Sequence, residues 1–299
     1  MWNNTFGHKK QMEQLKRALN ENKVPHAYLF SGVEGIGKRR VAIGLAQSLN
    51  CLSVKNVPCE KCEACIKIEK GIHPDCHFIQ PDGKTIKIEI LRNLKQKIYL
   101  HPLEGKSKVV VIDKPEAITE AGANALLKLL EEPPSQTHFI LISSQPLRLL
   151  PTIRSRCQKL EFSPLDEEEI SAFLVKQGVV EAEAKQKAKY SGGSLSVAIH
   201  FDATLLEETR QKMEGLQSTP SALAIFELSD KWNKDEEHLP QIINILHHLW
   251  RQKWMTAQNE VDGAKLEHQW MVLQQASRGL EANANKQLLL ENLLFTLTR

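Results

Sequence analysis

The sequence predicts an α/β domain built on a parallel sheet with a phosphate-binding loop, carrying a four-cysteine insertion and followed by all-helical segments. Three observations carry this reading. Gly32-Val33-Glu34-Gly35-Ile36-Gly37-Lys38 fits G-x-x-x-x-G-K directly after the apolar run Ala27-Tyr28-Leu29-Phe30. A strand before and a helix after are the context that gives this pattern its specificity. Val109-Val110-Val111-Ile112-Asp113 and Phe139-Ile140-Leu141-Ile142 are short β-branched or apolar runs of the kind that fill a doubly covered sheet. After Phe162 the text turns helical, opened by Ser163-Pro164. A length of 299 residues suggests two or three domains, and 41% hydrophobic with 25% charged residues is ordinary globular chemistry. The net charge of +3 does not indicate a strongly basic nucleic-acid scaffold. No secretory or transit segment is visible, and no apolar run approaches the roughly 20 residues of a membrane helix, so a cytosolic chain without a membrane partner is expected.

In chain order, Gly7 to Asn20 places Met12, Leu15 and Leu19 on one helical face ahead of the first strand. In the loop that follows, Gly32, Gly35 and Gly37 let backbone N–H groups curl around a phosphate, and Lys38 meets its oxygens. The departure is Arg39. A Ser or Thr hydroxyl there ligates Mg²⁺, whereas a guanidinium has no lone pair to offer. The expected loop keeps its shape without supporting catalysis, so ATP binding is doubtful; binding without turnover is the alternative. Cys51 and Cys59-x-x-Cys62-x-x-Cys65 supply four thiolates, enough for one tetrahedral Zn²⁺. An iron–sulfur reading is weaker, because Glu69 stands where a fourth cysteine belongs. His73, Cys76 and His77 are read as ordinary residues of the next turn and strand. Residues 82–108 hold seven Lys or Arg against three acids. They give either a solvated helix face opposite Leu91, Leu94 and Ile98 or a track for a nucleic-acid backbone.

Asp113 ends its strand as the acid that would meet Mg²⁺ and phosphate, but Lys114 follows where a water-polarising glutamate is wanted, and Glu116 sits behind Pro115. Leu126 to Glu132 has Leu at helical spacing and is stopped by Pro133-Pro134. Ser155-Arg156-Cys157 follows the second strand and a short Leu-rich segment, and Arg156 is the candidate functional arginine, with Arg154 a packing or rim residue. Leu165 to Glu169 opens a helix with acids in its first turn. Ser191-Gly192-Gly193-Ser194 forms a turn, giving a small helical domain over 163–207. Beyond it, Ile242, Ile245, Leu246, Leu249 and Trp250 make one apolar stripe, and Leu290, Leu293, Leu294 and Leu297 another. Trp250, Trp254 and Trp270 are read as core or subunit-packing residues.

His26 to Phe30 leading into the loop, the four-cysteine insertion, Ala125-Leu126-Leu127-Lys128-Leu129-Leu130-Glu131-Glu132-Pro133-Pro134 and Ile153-Arg154-Ser155-Arg156-Cys157 together resemble the bacterial clamp-loader AAA+ family. The resemblance implies an AAA+ domain over 1–162 with a zinc module at 51–65, a helical lid over 163–207 and a helical oligomerisation collar over 208–299. It implies a hetero-oligomeric, non-catalytic subunit of the replicative DNA polymerase III holoenzyme, beside ATP-hydrolysing tau or gamma subunits and a delta subunit. That pentamer opens a ring-shaped sliding clamp and sets it on primed DNA. In an active member a hydroxyl at 39, a glutamate at 114 and an arginine at 196 are wanted; here stand Arg39, Lys114 and Ser196. No ATPase activity of its own is therefore expected, while Arg156 is the implied arginine finger, acting in trans. Two other readings stay open: an active ATPase subunit of the tau or gamma type, and a zinc-dependent DNA-binding regulator. The latter wants a basic reading face, but Lys55, Lys61, Lys67 and Lys70 are nearly balanced by Glu60, Glu63 and Glu69.

Overall fold

The computed structural model describes residues 6–54, 57–235, 238–256, 260–281 and 284–298, so Lys55 of the cysteine region lies outside the described residues. The chain divides into two compact units, Met1–Glu169 with Gly193–Leu195 and Ile170–Gly192 with Ser196–Arg299.

The first unit is a five-stranded sheet in the order β2-β3-β4-β1-β5, formed by β1 (Ala27–Ser31), β2 (Cys76–Ile79), β3 (Lys108–Asp113), β4 (Thr137–Ser143) and β5 (Gln158–Glu161). All four pairings are parallel. Every residue of β1 is buried, as is β3 up to its terminal Asp113, which is why these strands are continuous apolar runs rather than alternating ones. Before β1 lies α1 (Lys9–Asn20), and after the loop comes α2 (Lys38–Asn50), which packs against β3 and β4. The helices α4 (Ile88–Ile98), α5 (Glu120–Glu131) and α6 (Pro151–Ser155) bury Leu91, Leu94, Ile98, Leu126, Leu129, Leu130 and Ile153 in one core. Opposite them stand Val110, Ile112, Phe139, Leu141, Ala27 and Leu29 of the sheet. Because parallel crossovers return each strand in the same sense, the loop after β1, Asp113 and Ser143 share the carboxyl edge. The chain entering β3, β4 and β5 lies at the amino edge.

Between α2 and β2 the chain makes a short module with α3 (Glu63–Glu69). It rests on α2 through Gln47 Nε2, which donates to the Cys65 carbonyl at 3.0 Å, and through an Arg40–Glu69 ion pair. Beside it, the loop after α4 is pinned by two buried side chains. Asp75 accepts from the backbone N–H groups of Leu103, Glu104 and Gly105, each at 2.8 Å, and Asn50 Oδ1 from those of Lys106 and Ser107 at 2.8 and 3.0 Å.

The second unit is helical, with α7 (Glu167–Lys176) entering it, then α8 (Glu181–Lys189), α9 (Leu195–Ile199), α10 (Ala203–Ser218), α11 (Ala222–Lys234), α12 (Leu239–Met255), α13 (Glu260–Glu281) and α14 (Lys286–Thr298). Both predicted stripes lie in its interior: Ile242, Ile245, Leu246, Trp250 and Leu290, Leu293, Leu294, Leu297 are buried, with Leu249 packed against them. Trp250 Nε1 donates to Gln269 Oε1 at 2.9 Å, whereas Trp254 is 40% exposed and stacks on Trp270. The division expected at 207 falls inside α10. Tyr190 stacks on Phe201 with ring centroids 5.7 Å apart and meets His248 at 4.5 Å, and Phe201, Leu206 and Ile245 form one buried cluster. The helices on either side of 207 therefore share a core instead of forming two separate ones. No helix among the described residues is long and apolar enough to cross a membrane.

Candidate functional site

At the carboxyl edge the loop has the geometry that its glycines require. Gly35 and Gly37 have φ of 78° and 98°, a left-handed region open to Gly at little cost. Gly32 lies so close to the chain just after β5 that a Cβ there would meet the Phe162 carbonyl oxygen at 2.3 Å. The side chains around the loop, however, are already engaged. Lys38 Nζ donates to the Gly32 and Val33 carbonyl oxygens, both at 2.6 Å, so the ammonium is folded back into its own loop. Burial pushes its pKa below the ordinary lysine value, against the opposing pull of Glu34, Asp113 and Glu116.

Arg39 Nη1 lies 3.9 Å from Asp113 Oδ2 and donates to Gln80 Oε1 at 3.3 Å. A cation thus stands beside the carboxylate that ends β3. Lys114, at φ 52°, places Nζ 2.8 Å from Glu34 Oε1, and that contact is the main reason its pKa is raised. Glu116 is nearer the loop than its place behind Pro115 suggests. Its charge is felt at both Lys38 and Lys114, and its Oε2 is buried without a hydrogen-bond partner. Glu34 and Gln80 gave no signal in the sequence, since Glu34 falls at a position the loop pattern leaves free and Gln80 lies outside the pattern, directly after β2.

Arg156 is at the other edge. It precedes β5, whose Gln158 pairs with Tyr28, while Gly32 follows the last residue of β1. Four residues of strand rise, roughly 13 Å, separate the Tyr28 level from Gly32, and Arg156 lies in the turn before that level. Its Nη2 is 2.6 Å from Glu131 Oε1, and Nη1 donates to the Thr152 carbonyl at 3.0 Å. On one side Ser155 Oγ donates to the same carbonyl at 3.0 Å. On the other, Cys157 is buried in the core against α5 and α6, its thiol pushed up to about 12 by burial. Cys157 thus anchors the segment and Arg156 projects from it. Arg154 keeps its Nε buried and unpaired. The sequence did not single out Glu131 as the partner, although the residue belongs to the Leu-Leu-Glu-Glu-Pro-Pro run.

Cys51, Cys59, Cys62 and Cys65 converge, their sulfurs all within 4.8 Å of one another, and Cys51 Sγ and Cys62 Sγ are 4.0 Å apart. Tetrahedral ligation at ~2.3 Å implies sulfur separations of about 3.8 Å, so the four thiols can close on one metal ion with little movement. Backbone N–H groups of Cys59 and Cys62 point at Cys51 Sγ and Cys59 Sγ, at 3.4 and 3.3 Å. The N–H groups of Lys61 and Cys62 draw the Cys59 thiol down to about 6, while burial raises those of Cys51 and Cys65. Among the described residues no other group of His, Cys, Asp or Glu could hold a metal ion. His73 Nδ1 instead accepts from Asp75 N at 3.1 Å, and the Cys76 sulfur accepts from Asn50 Nδ2 at 3.5 Å. Along α4, Leu91, Leu94 and Ile98 are buried and Arg92, Lys95 and Lys97 are exposed, as is Lys87 just before it.

Residues 7–166 match the family described as DNA polymerase III, delta subunit. The delta-prime subunit of DNA polymerase III from Bacillus subtilis is 35% identical over 246 residues, 80% of this chain and 75% of that one. The gamma subunit from Buchnera aphidicola is 36% identical over 66% of this chain and 56% of its own length. The tau/gamma subunit from Haemophilus influenzae is 40% identical over 54% of this chain but 23% of its own length. Among solved structures, a gamma-subunit-related protein from Thermotoga maritima aligns over 96% of this chain and 98% of that one at 22% identity, with a TM-score of 0.46. The chain belongs to the clamp-loader AAA+ family of bacterial DNA polymerase III, among its delta-prime subunits.

Proposed function

We propose that this chain is a non-hydrolysing subunit of a sliding-clamp loader in the cytoplasm, and that it supplies Arg156 as an arginine finger to a neighbouring ATPase subunit. The observation that carries the first half is the engaged loop. Lys38 is bound to its own loop carbonyls, Arg39 stands against Asp113 and Lys114 against Glu34. Phosphoryl transfer asks a protein for little beyond positioning and charge stabilisation. A pocket whose metal and water-polarising positions are taken by its own cations provides neither. The second half is supported by Arg156 lying at the edge remote from this loop, with a planar, permanently charged head suited to phosphate oxygens. The partners are subunits of the kinds its relatives are named for, delta-prime, gamma and tau, together with a delta subunit, the clamp and primed DNA. Residues 1–162 would be the AAA+ domain, and lid and collar would follow over 163–299 as one helical body that shares a core across 207. Zn²⁺ is the metal that Cys51, Cys59, Cys62 and Cys65 hold; it would have a structural role, since four thiolates leave no open coordination position.

The test has two arms. The purified chain alone should hydrolyse ATP at buffer background; steady turnover abolished by Lys38→Ala would favour an active ATPase instead, a reading that the gamma and tau relatives keep specific. In complexes reconstituted with the partner subunits, Arg156→Ala should leave assembly and zinc content intact and lower clamp- and DNA-stimulated ATPase. An arginine finger contributes about 10³- to 10⁵-fold at a single site, and the total loss should be smaller because other sites of the complex stay intact. An unchanged rate from a fully assembled mutant complex would make Arg156 a structural residue.

A further inference from the structure

Glu131 is the last residue of α5, the end at which a helix carries its partial negative charge and an acid is least favoured. Glu132 follows, and Pro133-Pro134 fixes where the helix must stop. Local helix chemistry does not call for a carboxylate here. What the carboxylate does is visible across the short gap to α6: Glu131 Oε1 is 2.6 Å from Arg156 Nη2, while Arg156 Nη1 donates to the Thr152 carbonyl at 3.0 Å. The two acceptors take one donor from each terminal nitrogen. A guanidinium has five N–H donors in a fixed plane, so these contacts set that plane and leave the remaining donors for an incoming ligand. The pair is partly open to solvent, with side chains 35% and 40% exposed, so a phosphate group can approach the arginine without the pair first being dismantled.

We infer that Glu131 is the positioning residue of Arg156: its carboxylate, with the Thr152 carbonyl, holds the guanidinium in the orientation that meets a phosphate on the neighbouring subunit. The inference presupposes that Arg156 acts in trans. Glu131 itself touches no substrate. Its removal should therefore act through geometry, with a kinetic signature of its own. Orientation matters most in the transition state, so kcat should fall. Affinity for the ground-state nucleotide should hold or tighten, because a negative charge has been taken away from beside the arginine.

The experiment uses complexes assembled with this chain and its ATPase partners, measuring kcat and KM for ATP in the presence of clamp and primed DNA, per complex recovered from size-exclusion chromatography. Glu131→Gln keeps the shape and an acceptor oxygen but loses the charge; Glu131→Ala loses both. Expected is a graded fall in kcat, a few-fold for Glu131→Gln and about tenfold for Glu131→Ala, within the range that misplacing a reactive group costs, and KM unchanged or lower in both. Arg156→Ala is measured alongside. If Arg156→Ala lowers kcat and Glu131→Gln matches the unsubstituted complex, Arg156 keeps its role and Glu131 loses the one assigned to it. If Arg156→Ala is itself without effect, both assignments fall. A rise in kcat on Glu131→Gln would make Glu131 a restraint on the arginine and would overturn the inference. So would a rise in KM with kcat unchanged.

Discussion

At the scale of single residues, the loop lysine is held by carbonyl oxygens of its own loop. Lys38 was legible as a phosphate ligand from G-x-x-x-x-G-K, and its position in the loop is where that pattern puts it. Its ammonium nevertheless satisfies two carbonyl oxygens of the same loop. A hydrogen bond from a charged group contributes about 1.5–3 kcal/mol, and less where water can take its place, as it can at the exposed Val33. Lys38→Ala should therefore lower the unfolding free energy of nucleotide-free protein by roughly 1–3 kcal/mol, while ATP hydrolysis by the chain stays at background. Urea titration followed by circular dichroism measures the first quantity. A variant as stable as the parent would mean that the lysine does not brace the loop. The sequence could show that Arg39 and Lys114 depart from the residue types of an active site, because each stands at a position that the pattern defines. It could not show that Glu34 and Gln80 accept their charges, since those contacts join residues 80 and 41 positions apart and depend on how the loop folds over the carboxyl edge.

Secondary-structure elements were the most legible scale, for a physical reason. A strand covered on both faces must be apolar along its whole length, so β1, β3 and β4 stand out as runs, and α5 announces its end with two prolines. The four-cysteine module was legible too, because metal ligation sets close spacings in the sequence itself. The anchoring of that module was not, since Gln47 reaches Cys65, Lys67 pairs with Glu104 at 2.8 Å and Lys106 Nζ donates to the Cys51 carbonyl at 3.1 Å. These side chains carry no motif. They also decide what losing the metal should do. Freshly purified protein should contain about one equivalent of zinc, and Cys62→Ser should lose most of it. Because the module rests on α2 and on the pinned loop after α4, and contributes no strand, the sheet should keep its cooperative transition. Amide exchange should therefore rise across 51–72 and stay unchanged in β1, β3 and β4. Global unfolding of the variant, or zinc below half an equivalent in the parent, would count against this account.

For the whole molecule, the two units share one electrostatic feature that the sequence concealed: histidines held neutral by burial. In the first unit burial lowers the pKa of His8, His73, His77 and His138. In the second it lowers His247 and His248 to about 4, His247 edge-on to Trp270 with Nε2 2.8 Å from Ser277 Oγ, and His248 against Tyr190. A histidine is neutral in both folded and unfolded chains above its unfolded value of about 6.5, so there its contribution is fully present. Below that value the unfolded chain takes up protons that the folded chain refuses, and stability is lost as pH falls from about 6.5 toward 4. Asp75 adds to the same trend at lower pH: burial raises its pKa, but the N–H donors of Gly105, Leu103 and Glu104 outweigh this and leave it lowered. Acid would also release a thiolate-bound metal, so the readout must come from the helical unit, which holds none of the four cysteines. Trp232, Trp250, Trp254 and Trp270 all belong to that unit, so tryptophan fluorescence follows it closely. The thermal midpoint read this way should be level from pH 8 to about 7 and fall steadily below 6.5. His248→Phe keeps a ring against Tyr190 and removes the titrating group whose Nε2 is buried without a partner; it should flatten that fall by up to about one proton's worth of slope, roughly 1.4 kcal/mol per pH unit. A midpoint independent of pH between 7 and 5 would mean that these histidines are open to water and that the interior of the helical unit is looser than its packing implies.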